Sequence, residues 1–302
     1  MRLFILFFIF VPLFSLNIAP PNYNGKVRFI KQVKFNPTFD GFSFCEISDL
    51  AYNKNKKLLY MISDEGILYT FKAKFNENDF KLIPLKATYF KRKNGKPLRR
   101  WNRDTEGLAL DNKGNIFVSR EGEPKITQFR ENGVKVKNLK LPKALKNVKL
   151  RSNNKSLESL AWHPKFGLLT ALEWAKKGKK PQEQTIYSLS GKEWNINIAK
   201  IKRNGISEIE TMDDGNLLIL QRAYNGMFGR FVVTLQKLYI NNCNTKFCPK
   251  ETIFSMDNSK GWYVENYEGL ARVGKNRYLM ISDDNNSFFQ STILIYFEII
   301  AK

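Results

Sequence analysis

The sequence predicts an all-β fold, a β-propeller of four-stranded blades, and three observations predict it. The first is an internal repeat. One hairpin is written five times at intervals of roughly 50 to 60 residues, a period that belongs to propellers and other repeat architectures. The copies are SDLAYNKNKKLLYMISDEG (48–66), DTEGLALDNKGNIFVSREGEP (104–124), ESLAWHPKFGLLTALEW (158–174), SEIETMDDGNLLILQRA (207–223) and EGLARVGKNRYLMISDDN (268–285). The second is composition: aromatic residues make up 14%, with 24 Phe, and strands favour such side chains over helices. No stretch holds a helical period, and Pro and Gly fall between the apolar runs. The third is the number of strand runs per repeat, which is four.

Taken in order, residues 27–35 (VRFIKQVKF) have strand character but no hairpin partner of their own. The first repeat runs through LAYN, LLYMISD, GILYTFKAKF and FKLIPLKATYF, and a basic loop, KRKNGKPLRRWNR, leads to the second. That one reads GLALD, NIFVSRE, KITQFR and VKNLKL; the third reads SLAWH, LLTALEW, EQTIYSLS and WNINIAKI. The fourth gives SEIETMD, LLILQRA, FGRFVVTLQKLYI and KETIFSMD. The fifth has three strands, GLARV, RYLMISD and STILIYFEII, so the spare strand at 27–35 is expected to complete it and close the ring. Radial repetition of four-stranded blades leaves only short, protected edges. Five blades are counted, and a sixth, degenerate one is left open.

Residues 20–302 are read as one propeller domain and residues 1–19 as a signal peptide. Met1-Arg2 is a short positive start, and the apolar run Leu3 to Leu16 is shorter than the ~20 residues a spanning helix needs. Export to the periplasm or beyond is the expected location. Cys243 and Cys248 bracket the short loop NTKF and are expected to pair in an oxidising compartment, leaving Cys45 as a small buried thiol. The formal charge of +22 is compatible with a solvated basic surface, or with attraction to an anionic membrane surface or envelope polysaccharide. Nucleic acid is not an expected partner, because no basic stripe is interleaved with a nucleic-acid motif. The expected state is a monomer.

The repeats also place the chemistry. A polar residue opens each first strand (Ser48, Glu106, Glu158, Ser207 and Glu268), and a charge ends each second one (Asp64, Glu121, Glu173, Arg222 and Asp283). If the opening strand lines the channel, seven carboxylates converge on one mouth. Crowded carboxylates raise one another's pKa unless a cation compensates, and oxygen-rich sets suit Ca2+. Asp64, Glu121, Glu158, Glu173 and Asp283 are the candidate metal ligands, Glu106 or Glu268 the candidate general base, and Arg120 and Arg222 the candidate binders of an anionic ester. The competing reading has these acids accept backbone N–H bonds from the next blade and simply fix the ring. The sole histidine, His163, lies in a turn, and there is no GxSxG, which excludes an α/β-hydrolase mechanism.

NRDTEGLALDNKGNIFVSREGEP, SLESLAW with LLTALEW, SEIETMDDGNLLILQRA and NYEGLA with ISDDN resemble the bacterial phytase-like, "esterase-like activity of phytase" family, as does the opening SDLAYN…MISDEG. The resemblance runs from about residue 40 to the C-terminus. It implies an exported β-propeller that hydrolyses esters, phosphoesters included, with Ca2+ as cofactor by analogy to propeller phytases. Two positions depart from the pattern: Ser48 replaces a Glu, and Gln221-Arg222 stands where an acidic residue paired with Arg is expected. The alternatives are a non-catalytic envelope propeller that binds a protein or glycan, and a lactonase-like propeller enzyme.

Overall fold

Apolar residues recur in every strand run of the sequence, and each run forms a strand buried on one or both faces. The computed structural model describes residues 25–121, 124–152, 155–226 and 229–300. The signal-peptide segment 1–19 lies outside the described residues. Strand β1 is Val27–Lys34. Blade 1 follows as β2 (Ile47–Asn53), β3 (Leu58–Ser63), β4 (Ile67–Phe75) and β5 (Phe80–Tyr89). Blade 2 is β6 (Thr105–Leu110), β7 (Ile116–Arg120), β8 (Lys125–Phe129) and β9 (Lys135–Asn138). Blade 3 is β10 (Leu157–His163), β11 (Gly167–Leu172), β12 (Glu183–Ser188) and β13 (Glu193–Asn197). Blade 4 is β14 (Asn204–Thr211), β15 (Leu217–Tyr224), β16 (Phe231–Leu238) and β17 (Lys250–Asp257). Blade 5 is β18 (Asn266–Gly274), β19 (Arg277–Asp283) and β20 (Ile293–Ile299).

Every sheet is antiparallel and four-stranded, and the fifth has the order β18-β19-β20-β1. The ring is therefore a five-bladed propeller closed by the N-terminal strand: β1 pairs β20 from Val27↔Ile299 to Lys34↔Ile293. The inner strands β2, β6, β10, β14 and β18 touch one another in sequence, and β18 touches β2. Among the described residues, helix is confined to the single turn α1 (Lys143–Lys146) and short 3-10 turns.

The core is divided into five apolar clusters, one between each pair of neighbouring blades. Tyr60, Ile62 and Leu68 of blade 1 meet Leu108, Val118 and Phe129 of blade 2. Leu218, Leu220 and Val233 of blade 4 meet Met280, Ile295 and Phe297 of blade 5, with Val27 from the closing strand. Two glycines of the repeated EGL wording have a steric role at these junctions. A Cβ on Gly107 would lie 2.6 Å from the Leu160 nitrogen, and one on Gly269 would lie 2.8 Å from the Asp49 Cα. Neighbouring inner strands thus approach backbone to backbone.

Cys243 and Cys248 are joined in a disulfide, and Cys45 is a free thiol that is half-buried, not fully buried as expected. Among the described residues no helix is long and apolar enough to cross a membrane.

Candidate active site at the channel mouth

A strand buried on both faces has no natural place for an inward carboxylate, and the fold solves this with bulges. Near the start of every inner strand the pairing register slips: between Ile47 and Asp49, Thr105 and Leu108, Leu157 and Ser159, Ile206 and Glu208, and Tyr267 and Gly269. The residues left out of the ladder include Ser48, Glu106, Glu158, Ser207 and Glu268, the polar residues that open the repeats. A bulged residue is unpaired and its side chain re-aimed. Glu106, Glu158 and Glu268 consequently line a cavity of about 740 Å3 at the channel mouth. Asp64, Glu121, Glu173 and Asp283, each at or just beyond the end of the second strand of its blade, line it as well. All seven expected carboxylates are brought together.

An eighth, Asp104, stands just before β6, at a position the repeats do not single out. Glu106 occupies the centre of the acids. One carboxylate oxygen from each of Asp64, Asp104 and Glu106 lies within 4.8 Å of the others, and the same holds for Glu106, Glu121 and Glu158. Burial, and then the charges of Asp64 and Glu158, push the Glu106 carboxyl well above the usual carboxylate range. Burial likewise raises Glu121 to about 7, and burial with the Glu268 and Asp64 charges raises Asp283 to about 9. Eight acids face only three cations, Lys155, Arg203 and Arg222, among the described lining residues. A donor set made of oxygen alone, with no His or Cys and an excess of negative charge, fits a hard divalent cation.

The cations are placed unequally. Arg222 is clasped by Glu268 and Asn266, with Glu173 and Glu158 at 3.5 and 3.8 Å. Burial opposes its charge, but these acids hold it firmly protonated. Lys155 pairs with Glu173 at 2.5 Å. Arg120, expected beside them, does not line the cavity. Successive strand residues face opposite ways, so while Glu121 points to the channel, Arg120 is buried within its blade, 3.3 Å from the Asn102 carbonyl and 3.4 Å from Thr127 Oγ1.

The ring-fixing role falls mainly to acids that the repeat alignment passes over. Asp49 accepts from the backbone N–H of Leu108 (2.6 Å) and of Leu270 (3.3 Å), tying blade 1 to both neighbours. Glu208 accepts from Leu160 N–H at 3.1 Å, and Glu210 from Arg272 N–H at 3.0 Å. Burial pushes the Asp49 and Glu208 carboxyls well above the carboxylate range. Of the seven mouth carboxylates only Glu121 accepts a backbone N–H from the next blade, that of Ser156 at 3.1 Å, among the described residues. The sequence does carry a signal for the ties. The position after each opening polar residue is an acid (Asp49, Glu208) or a small residue (Gly107, Ser159, Gly269), and an acid of one blade sits against the small residue of another. His163 is also structural: Nδ1 accepts from the Lys165 and Phe166 N–H groups, and Nε2 bonds the Gly215 carbonyl of blade 4.

A family model described as phytase-like, "esterase-like activity of phytase", matches residues 43–286. The chain belongs to the phytase-like family. A comparison with curated proteins finds no match. The phytase-like match spans all five inner strands and the whole acidic mouth, and the family's description points to hydrolysis of esters, of the esterase or phosphatase type. In this phytase-like propeller the acids that can hold a metal ion and the acids that fix the ring are separate sets of residues, apart from Glu121.

Proposed function

We propose that the protein is an exported, metal-assisted hydrolase of esters or phosphoesters. The observation that supports this most is the position of Glu106 at the junction of two carboxylate triads, in a cavity that the family match also covers. Asp64, Asp104, Glu106, Glu121 and Glu158 would hold the cation, with Ca2+ favoured by the oxygen-only set. Bound there, the cation would polarise the ester or phosphoryl oxygen and acidify a water molecule.

The remaining residues divide the proton chemistry. Burial raises the Glu268 carboxyl, and Arg222 opposes that rise by favouring its ionised, proton-accepting form. That pairing makes Glu268 the general base for the attacking water. Glu106 serves as a ligand on this reading. Asp283, pushed to about 9 by burial and its neighbours, keeps a proton near neutrality and can give it to the leaving oxygen. Glu173 and Lys155 hold Arg222 and each other in place at the wall of the cavity.

The Cys243–Cys248 disulfide supports a periplasmic or secreted location, since such bonds persist in oxidising compartments. The excess of lysine and arginine would draw the enzyme toward anionic membrane or polysaccharide surfaces, weakly and with strong salt dependence.

The test is metal analysis of the purified protein, thermal melting with Ca2+ or chelator, and turnover of phenyl acetate and phenyl phosphate. A bound divalent ion, Ca2+-dependent stabilisation and Ca2+-dependent cleavage are expected. Melting indifferent to Ca2+ would sink the metal-assisted mechanism.

A further inference from the structure

The cavity is not lined by acids alone. Trp174, just after β11, Tyr224 of β15 and Phe231 of β16 also line it, as does Arg203, in the turn before β14. Tyr224 and Phe231 face each other across the β15–β16 ladder with ring centroids 5.2 Å apart, and Tyr224 remains 44% exposed.

Arg203 differs from the other cations that line the cavity. Arg222 is committed to three carboxylates and Lys155 to Glu173, whereas Arg203 is exposed and makes no ion pair with any described residue. Its backbone is held at φ 55°, in the left-handed region that non-glycine residues seldom adopt. A single uncommitted guanidinium in a cavity that three aromatic side chains also line is suited to one anionic group carried on an apolar body. The guanidinium can take a phosphate or carboxylate oxygen pair, and the rings take the apolar part. With one uncommitted lining cation, the cavity is suited less to a polyphosphorylated ester.

We infer that Arg203, Trp174, Tyr224 and Phe231 form a substrate subsite for an aryl or otherwise apolar group bearing a single anionic substituent. That the occupant is a substrate rests on the hydrolase reading; that the subsite binds does not.

Titration calorimetry on the full chain with phenylphosphonate and methylphosphonate, neither of which can be turned over, tests it. Both offer the same anion to any metal, so their difference reports the aromatic side chains that line the cavity. Phenylphosphonate is expected to bind at least tenfold more tightly than methylphosphonate. Tyr224→Ser should narrow that gap several-fold. Arg203→Asn, chosen because Asn tolerates positive φ, should weaken phenylphosphonate about tenfold, and Arg203→Lys should recover most of the loss. Equal affinity for the two phosphonates, or an affinity unmoved by Arg203→Asn in a variant that melts like the wild type, overturns the subsite. Binding that follows this pattern in a protein that cleaves neither phenyl phosphate nor phenyl acetate upholds the subsite and refutes the hydrolase reading.

Discussion

Two single substitutions separate the acids that can serve chemistry from those that serve the ring. Glu106→Gln removes one carboxylate from both triads and so relieves repulsion in the metal-free cavity. Its metal-free melting temperature should stay level or rise, while stabilisation by Ca2+ and ester cleavage are lost. Asp49→Ala instead orphans the buried Leu108 and Leu270 N–H groups, at about 1–3 kcal/mol for each donor. Its melting temperature should fall by the same amount with or without Ca2+; equal behaviour of the two variants would contradict the division. The raised mouth acids also give a pH dependence with a definite sign. Glu121 moves from 4.5 to about 7 and Asp283 from 3.8 to about 9, so between those limits the folded chain holds more protons than the unfolded one. Stability without metal should therefore fall as pH rises from about 5 to about 9, first through Glu121 and then through Asp283. Ca2+ competes with those protons, and melts at saturating Ca2+ should show the slope flattened or reversed. At this scale the sequence disclosed all seven mouth acids, because a fixed place in a repeat maps to a fixed place around the ring. It did not disclose Asp104, which lies in a loop with no repeated counterpart. It misplaced Arg120 because adjacent strand residues face opposite ways, and strand facing is reset locally by a bulge that charge patterns do not reveal.

The same bulges set what each inner strand tolerates. Gly107→Ala places a methyl group against the Leu160 nitrogen and the Ser159 carbonyl carbon, at 2.6 and 2.7 Å, where only backbone movement can relieve it. A loss of ~1–3 kcal/mol or more is expected in chemical denaturation. Turn glycines such as Gly95, where an added Cβ would meet nothing within 4 Å, involve no such contact. At the junction of β16 and β17, replacing both Cys243 and Cys248 by Ser frees a loop with a sequence separation of 5 and should cost about 2 kcal/mol. Mass spectrometry should find one free thiol in the wild type. That thiol, Cys45, is pushed up to about 11 by burial and by Glu46 and Asp284, so alkylation at about pH 8 should be slow. Rapid labelling would contradict the placement. The strands themselves were legible nearly residue for residue, since 27–35 was expected and Val27–Lys34 is found. The one-turn α1 was not, because four residues give no period to read.

For the whole molecule, the count of five blades followed from strand arithmetic alone: four units of four strands, one of three, and one spare. Removing residues up to 36 should unzip that arrangement. It takes away the partner of β20 and the buried Val27, and it exposes a sheet edge. Aggregation or loss of a single cooperative transition is expected in size-exclusion and denaturation experiments, and a soluble, equally stable product would contradict closure by β1. What five matching repeats could not convey is that aromatic side chains line the mouth beside the acids. Trp174, Tyr224 and Phe231 have no counterparts in register, so no repeat pattern points to them.

The pairing of β1 with β20 also has a consequence in time. Strand β1 cannot find its partner until β20, far along the chain, has been made. At ordinary rates of synthesis that wait is on the order of tens of seconds. Four blades can assemble from contacts within their own stretch of chain, but the fifth cannot, and the circle stays open until β20 has been made. The contact that turns a row of blades into a closed ring is thus the last long-range pairing to form.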